Sequence, residues 1–320
     1  MSASGGTGRM FPCPRLADLP RARGKGFPWN SETAPADAPA EAMPLITIVT
    51  PCLNQGRFIE GAIRSVLLQG YPRLEYIVLD GGSSDETVNI IRKYERWITH
   101  WRSAPDRGQA AAINEGFERA TGRMVGWLNS DDRFLEGALP AFAAAHERDA
   151  DAVAWCGSGR NVDERGYVES HARPRDLTFD EIAFGPPNRI LQPACLIDRE
   201  AFSRAGGVDE GLTCAFDFAL WLDLAEKGRI ATVDAEVAEA IVHRDAKTQH
   251  SADLTIAEYS VILMRRGLEA EAVRWVRGLM RPYMHLASFA RRVFTNPLYR
   301  LARPLLRASG IVRRRSTEEE

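Results

Sequence analysis

From Pro44 onward, short apolar runs alternate with amphipathic stretches. Leu45 to Thr50 and Tyr76 to Asp80 are continuous enough in apolar and β-favouring residues to predict strands buried on both faces. Between them Phe58, Ile59, Ala62, Ile63, Val66 and Leu67 recur at helical spacing. Ser84 and Asp85 open a second helical pattern carrying Val88, Ile91 and Tyr94. A short strand near Ile98 to Arg102, a helix from Gln109 to Arg119 and a strand from Met124 to Leu128 complete the series. Strand and helix alternate in this way through parallel βαβ units, whose crossovers are right-handed.

The rhythm then changes. Leu135 to His146 reads as a helix, and Ala152 to Ser158 with Tyr167 to Ser170 as a hairpin turning at Asp163-Glu164-Arg165-Gly166. Cys195 to Ile197 is a strand, and Arg199 to Ala205 a helix stopped by Gly206-Gly207. Phe216 to Lys227 is a helix ending at Gly228. Residues 1–42 are Pro-, Gly- and Ala-rich without periodicity and are expected to be disordered. The chain thus divides into that segment, a catalytic-sized α/β domain over 43–250, and an Arg-rich helical region over 251–320.

Composition narrows the function classes. The 320 residues are 45% hydrophobic and 26% charged, with a net charge of −2, so nothing global points to nucleic acid. Five scattered cysteines without a CxxC pair argue against a disulfide framework or a zinc site and fit a reducing, cytoplasmic setting. No apolar run is long enough to span a membrane, and no secretory signal is visible. Lysine occurs only at Lys25, Lys93, Lys227 and Lys247; arginine supplies the remaining positive charge. Beyond Arg265 many arginines interleave with Trp275, Tyr283, Phe289 and Phe294. Such a segment suits either the inner face of an anionic membrane or a helical appendage with a wet Arg face.

Polar groups cluster where the predicted strands end, the edge at which open α/β sheets bind ligands. The first strand runs into Thr50-Pro51-Cys52-Leu53-Asn54-Gln55-Gly56, which is neither a GxGxxG fingerprint nor a Walker A loop. The second ends in Asp80-Gly81-Gly82-Ser83-Ser84-Asp85. Asp80 could accept bonds from a nucleobase or ribose, and Asp85 suits a helix cap. Asp106-Arg107-Gly108-Gln109 leads into a helix N-terminus, with Arg107 adding charge to an anion site. The fourth strand ends in Asn129-Ser130-Asp131-Asp132, oxygen ligands of the kind a hard divalent cation takes.

In that order these motifs resemble family-2 glycosyltransferases of the GT-A fold, over roughly Pro44 to His250. The resemblance implies a mixed, mainly parallel central sheet flanked by helices, with a C-terminal helical extension. It implies a nucleotide-sugar site drawing on Thr50, Pro51, Cys52, Asn54, Asp80, Arg107, Gln109, Asn129, Ser130 and Gln192. Asn129-Ser130-Asp131-Asp132 is similar to the family's metal-binding Asp-x-Asp motif, with Asn129 where an acid is usual. A divalent metal, Mn2+ or Mg2+, is thereby assigned to Asp131 with Asn129 and Asp132. His243 resembles a histidine beside the diphosphate and joins the metal set. Phe216-Asp217 stands where the family has a Glu-Asp pair, so Asp217 is left as the base.

Chemically, a cation would offset charge growing on a diphosphate leaving group, and a carboxylate would take the proton of an attacking hydroxyl. The resemblance implies an inverting transfer to a saccharide or lipid-linked acceptor in cell-surface glycan synthesis. Oligomeric state is left open. Two other readings share these features. A nucleotidyltransferase would need a basic first loop, which Thr50 to Gly56 lacks. A non-catalytic nucleotide-sugar-binding module would accommodate Asn129 and Phe216. Asp217 could also serve only to cap its helix, His243 could be a packed core residue, and Gln192 could satisfy a loop backbone.

Overall fold

A computed structural model describes residues 13–35, 39–175, 177–185, 189–247 and 251–277. They fall into two compact units, Met1–Tyr259 and Ser260–Glu320. The second contributes the end of one helix and a further helical stretch over 269–277. The arginines expected to meet a membrane beyond Arg277 lie outside the described residues. No described helix is long and apolar enough to cross a membrane.

The first unit is built on a nine-stranded sheet of described residues. Its elements, in chain order, are β1 (Ile46–Cys52), α1 (Ile59–Leu67), β2 (Leu74–Asp80), α2 (Thr87–Tyr94), β3 (His100–Ser103), α3 (Gln109–Arg119), β4 (Met124–Trp127) and β5 (Asp132–Phe134). There follow α4 (Ala138–Arg148), β6 (Ala154–Asp163), β7 (Val168–Ala172), α5 (Phe179–Phe184), β8 (Cys195–Asp198), α6 (Arg199–Ala205), α7 (Phe216–Lys227), β9 (Ile230–Val242) and α8 (Ala252–Arg265). Strand order is β3-β2-β1-β4-β8-β6-β9-β5, with β7 on β6.

The half β3-β2-β1-β4 is parallel, as the βαβ pattern predicts. All seven residues of β1 are buried. Each fully buried Ile or Val contributes about 1.5–3 kcal/mol, so the strand is held in place against any preference of its loops. Register then aligns the strand ends. Cys52 lies beside Asp80, and Val49 beside Trp127, so the loops after β1, β2 and β4 open on one rim. Helix α3 presses onto β1 at Gly116, where a Cβ would sit 2.4 Å from Val49 Cγ1. Only glycine permits that approach, which brings the α3 N-terminus and Gln109 to the same rim.

The second half is mixed: β8 is antiparallel to β4 and β6, and β9 is parallel to β6 and antiparallel to β5. Three elements were not expected from the sequence: β5, α5 and the 13-residue β9. The burial of β9 does not alternate cleanly, because it pairs with two strands and shifts register along β6. Helix α4 begins at Ala138 rather than Leu135, since residues 135–137 form a turn that closes at Gly137 with a φ of 80°.

The expectation of disorder over 1–42 is corrected from residue 13. Leu19 is buried, and the guanidinium of Arg64 on α1, 1% exposed, donates to the carbonyls of Pro20 (2.9 Å), Pro28 (3.1 Å) and Trp29 (3.3 Å). Thr33 N–H donates to Leu68 O at 2.9 Å, and Gly137 N–H donates to Thr33 Oγ1 at 2.9 Å. A segment without periodicity is ordered here by one buried cation that satisfies carbonyls with no strand or helix to pair in. Residues 1–12 lie outside the described residues. Arg64→Ala should therefore cost about 3 kcal/mol, the scale for stranding buried partners of a charged group. It should also speed tryptic cleavage at exposed Arg21 and Arg23. Unchanged melting and unchanged cleavage would show that this arginine does not hold the segment.

Candidate active site

The rim opens into a cavity of about 820 Å³ whose walls come from both halves of the sheet. Pro51, Cys52 and Leu53 line it from β1 and its loop; Asp106, Gly108 and Gln109 from the entrance to α3; and Asn129 to Asp132 from the loop after β4. Gln192 and Pro193 arrive from the turn before β8, Phe216 and Asp217 from the start of α7, and Lys247 from beyond β9. Asp131 and Asp217, 86 positions apart in sequence, face one cavity.

The four residues after β4 divide into distinct environments. Asp132 is buried and accepts from Asn129 Nδ2 at 3.0 Å. Burial, reinforced by the charge of Asp131, pushes its carboxyl well above the ordinary carboxylate range. Asp131 lines the cavity and meets Nε2 of the buried His243 at 3.1 Å. His243 packs on Phe58 with ring centroids 4.4 Å apart, and its Nδ1 is buried without a partner. Beside a carboxylate, Nε2 is best placed to carry the proton, so the fully buried ring orients Asp131, and His243 does not itself line the cavity. Asn129 Oδ1 accepts from Gln109 Nε2 at 2.7 Å, and its Nδ2 also donates to Gln192 Oε1 at 3.2 Å. Gln192 in turn donates to Trp127 O at 2.9 Å. The amide at 129 thus serves as the hub of a polar chain, a role a carboxylate with no N–H could not fill.

Among the described residues no group of three or more His, Cys, Asp or Glu side chains is arranged around a metal position. The donor set still fits a cation that arrives with its ligand. Six carboxyl groups line the cavity (Asp106, Asp131, Asp132, Glu169, Asp217 and Asp245) against one ammonium, Lys247. An added cation would offset part of this acidic lining for a phosphate-bearing ligand. Mg2+-like cations commonly take one or two protein carboxylates and fill their shell from phosphate and water.

Asp217 lies in the first turn of α7 and accepts from Phe218 N–H at 2.8 Å. It is not the helix cap. Ala215 occupies that position without a capping side chain, and the N–H groups of Thr213, Cys214 and Ala215 donate instead to Glu258, at 2.7, 2.8 and 2.8 Å. Burial pushes the Asp217 carboxyl up to about 6, against the Phe218 N–H bond and the charge of Lys247, and with the charge of Glu258. Lys247 Nζ donates to Gln109 Oε1 at 3.2 Å and lies 5.7 Å from the centre of the Phe216 ring. Neither Lys247 nor Glu258 was among the residues expected from motifs. Lysine's scarcity was the one available hint for Lys247; Glu258 has no signal, because its partners are backbone groups over 40 positions away.

Four expected binding residues do not line the cavity. Thr50 is buried in the sheet with its hydroxyl 3.0 Å from Tyr76 OH. Asn54, at a positive φ of 53°, accepts from Ser84 N–H at 2.9 Å and so ties the first loop to the second. Asp80 is fully buried: Oδ2 accepts from Gly82 N–H, Ser83 N–H and Ser103 Oγ, and Oδ1 from Ser83 Oγ and the Cys52 thiol. Burial raises its proton affinity, yet the bonds from Ser103, Ser83 and Gly82 outweigh that and hold it below the usual carboxylate range. Through these bonds Asp80 builds the turn. Arg107 is 81% exposed and pairs with Glu210 at 3.0 Å outside the cavity. Pro51, Cys52, Gln109, Asn129, Ser130 and Gln192 do line it. Asp85 accepts from Thr87 N–H at 3.0 Å and from Gly56 N–H at 2.9 Å, joining the same two loops.

Residues 47–204 match the family described as Glycosyl transferase family 2. The chain is 31% identical over 194 residues to a Bacillus subtilis (strain 168) glycosyltransferase, TuaG, whose name places it provisionally in teichuronic acid biosynthesis; the match spans 58% of this chain and 73% of that one. The fold is shared with S. aureus TarS 1-349 in complex with UDP-GlcNAc, at a TM-score of 0.54 and 18% identity, over 79% of this chain and 76% of that one. It is also shared with the mannosyltransferase PcManGT from Pyrobaculum calidifontis in complex with GDP-Man and Mn2+, at 0.51 and 18%, over 84% and 85%. The GT-A architecture follows from these likenesses and from the sheet.

The environment of Asp217 is directly measurable. In carbon-detected NMR of protein labelled at aspartate carboxyls, one resonance lost in Asp217→Asn should titrate near pH 6. If the lost resonance instead titrates in the ordinary range near 3.9, the carboxyl is not desolvated as described.

Proposed function

The chain belongs to glycosyl transferase family 2, and we propose that it moves a sugar with inversion from a nucleoside-diphosphate donor to a hydroxyl of a saccharide or lipid-linked acceptor. The observation that carries this reading is the single cavity shared by Asp131 and Asp217. One end can hold a diphosphate, and the other offers a carboxylate to an incoming hydroxyl.

Pro51, Cys52, Leu53 and Asp106 bound the end suited to the nucleoside. A divalent cation would be held by Asp131, with Asn129 beside it, and would supply charge neutralisation for the diphosphate. His243 keeps Asp131 turned to the cavity. Lys247 adds a donor toward the leaving oxygens, and Gln109, Asn129 and Gln192 form the polar floor. Asp217 takes the acceptor proton as the new glycosidic bond forms and the bond to diphosphate breaks. A carboxyl held near 6 is ionised at neutral pH and is a better proton acceptor than an ordinary one. A single displacement from the face opposite the diphosphate inverts the anomeric centre. Donors of this kind are consistent with the UDP-GlcNAc and GDP-Man bound to the structural neighbours.

Four substitutions separate these roles. Asp217→Asn should lower turnover by about 10²–10⁴-fold with donor binding little changed. Asp131→Ala should lose the manganese-dependent part of nucleotide binding in calorimetry, and normal binding of nucleotide and manganese would remove the metal assignment. Lys247→Met should reduce kcat by about 10²-fold, the scale of one lost charge-stabilising donor. Arg107→Met should stay near wild type, because an exposed surface pair contributes little. The reverse order for Lys247 and Arg107 would return Arg107 to the site.

A further inference from the structure

Helix α7 begins without a capping side chain of its own, although the N–H groups at a helix start need acceptors. Glu258, in the middle of α8, binds the backbone that leads into this helix, up to its N-cap residue Ala215. Its Oε1 accepts from Thr213, and its Oε2 from Cys214 and Ala215. The side chain is buried, and among the described residues it has no ion-pair partner. Three aligned backbone dipoles are what stabilise its charge, in the manner of an anion nest. The backbone so held ends two residues before Asp217.

Resting on the reading of Asp217 as the base, we propose that Glu258 is a positioning residue: it clamps the 213–215 backbone and thereby fixes where Asp217 meets the acceptor hydroxyl. A displacement of about 1 Å in a reacting group can cost about 10²-fold in rate, so a clamp with three bonds has catalytic weight without touching substrate. Its charge has a second effect. The groups that act on Asp217 are Lys247, which favours the ionised form, and Glu258, which disfavours it; the thiol of Cys195 and the phenol of Tyr259 are also close enough to feel its charge. Loss of the Glu258 charge should therefore make Asp217 easier to ionise and a weaker base.

The test compares full-length wild type, Glu258→Gln, Glu258→Asp and Asp217→Asn, measuring kcat, donor KM and the pH dependence of kcat/KM. Glu258→Gln should lower kcat by about 10–100-fold with donor KM held, and should move the acid limb to lower pH. Glu258→Asp keeps the charge but withdraws the clamp, and is the milder change if the first variant does not fold. It should lower kcat and leave the acid limb in place. A purely structural role would lower the melting temperature of both variants while kcat and the limb match wild type, and that result overturns the proposal. Wild-type turnover in Asp217→Asn would instead retire the base assignment beneath it. Loss in Asp217→Asn with both Glu258 variants unaffected retires the role of Glu258 alone.

Discussion

Burial of β1 on both faces between β2 and β4 is the constraint on which the site depends. Because all seven residues of the strand are packed in the core, a slip would misfit every side chain, so Cys52 stays level with Asp80 and Val49 with Trp127. The loops that follow must then emerge on one rim. Their mutual bonds finish the arrangement: Asn54 holds Ser84, Asp85 holds Gly56, and Asp80 folds the Gly82-Ser83 turn over itself. Polar residues in these loops thus divide between those that build the rim and those that face the cavity.

Environment, rather than residue type, assigns the acids their work. Asp80 is buried but saturated with donors, and it stays ionised and structural. Asp132 is buried next to another carboxylate with an amide as its bonded partner, and its proton affinity is driven far up. Asp217 is desolvated between a cation and an anion and settles between these extremes. Asp131 faces the cavity with one histidine contact and has oxygen lone pairs to offer a cation. Lys247 supplies the permanent positive charge on this wall, in a position that Arg107 does not reach.

Much of the parallel half was legible in sequence, because its strands are continuous apolar runs and its helices have regular periodicity. Helix α3 and helix α7 have the bounds that pattern and flanking glycines predict. What escaped was set by partners distant in the chain. Strand β9 alternates poorly because two neighbours and register shifts decide which side chains are covered. The N-terminal segment has no pattern because Arg64 orders it through carbonyls, which every residue possesses. Of the residues that motif reasoning named, Asp131, Asn129, Gln192 and Asp217 line the cavity, whereas Thr50, Asn54, Asp80 and Arg107 do not. A motif marks residues that recur at a site, and those that shape its loops recur as readily as those that touch the ligand.

In the proposed reaction a cation and diphosphate sit at Asp131, in the cavity that Asp217 also lines. Crystals soaked with manganese and a nucleoside diphosphate, measured for anomalous scattering from manganese, test it most directly. A peak is expected within coordination distance of an Asp131 oxygen, with the diphosphate lying between the metal and Lys247. A well-occupied nucleotide whose manganese and phosphates lie away from Asp131 would contradict it.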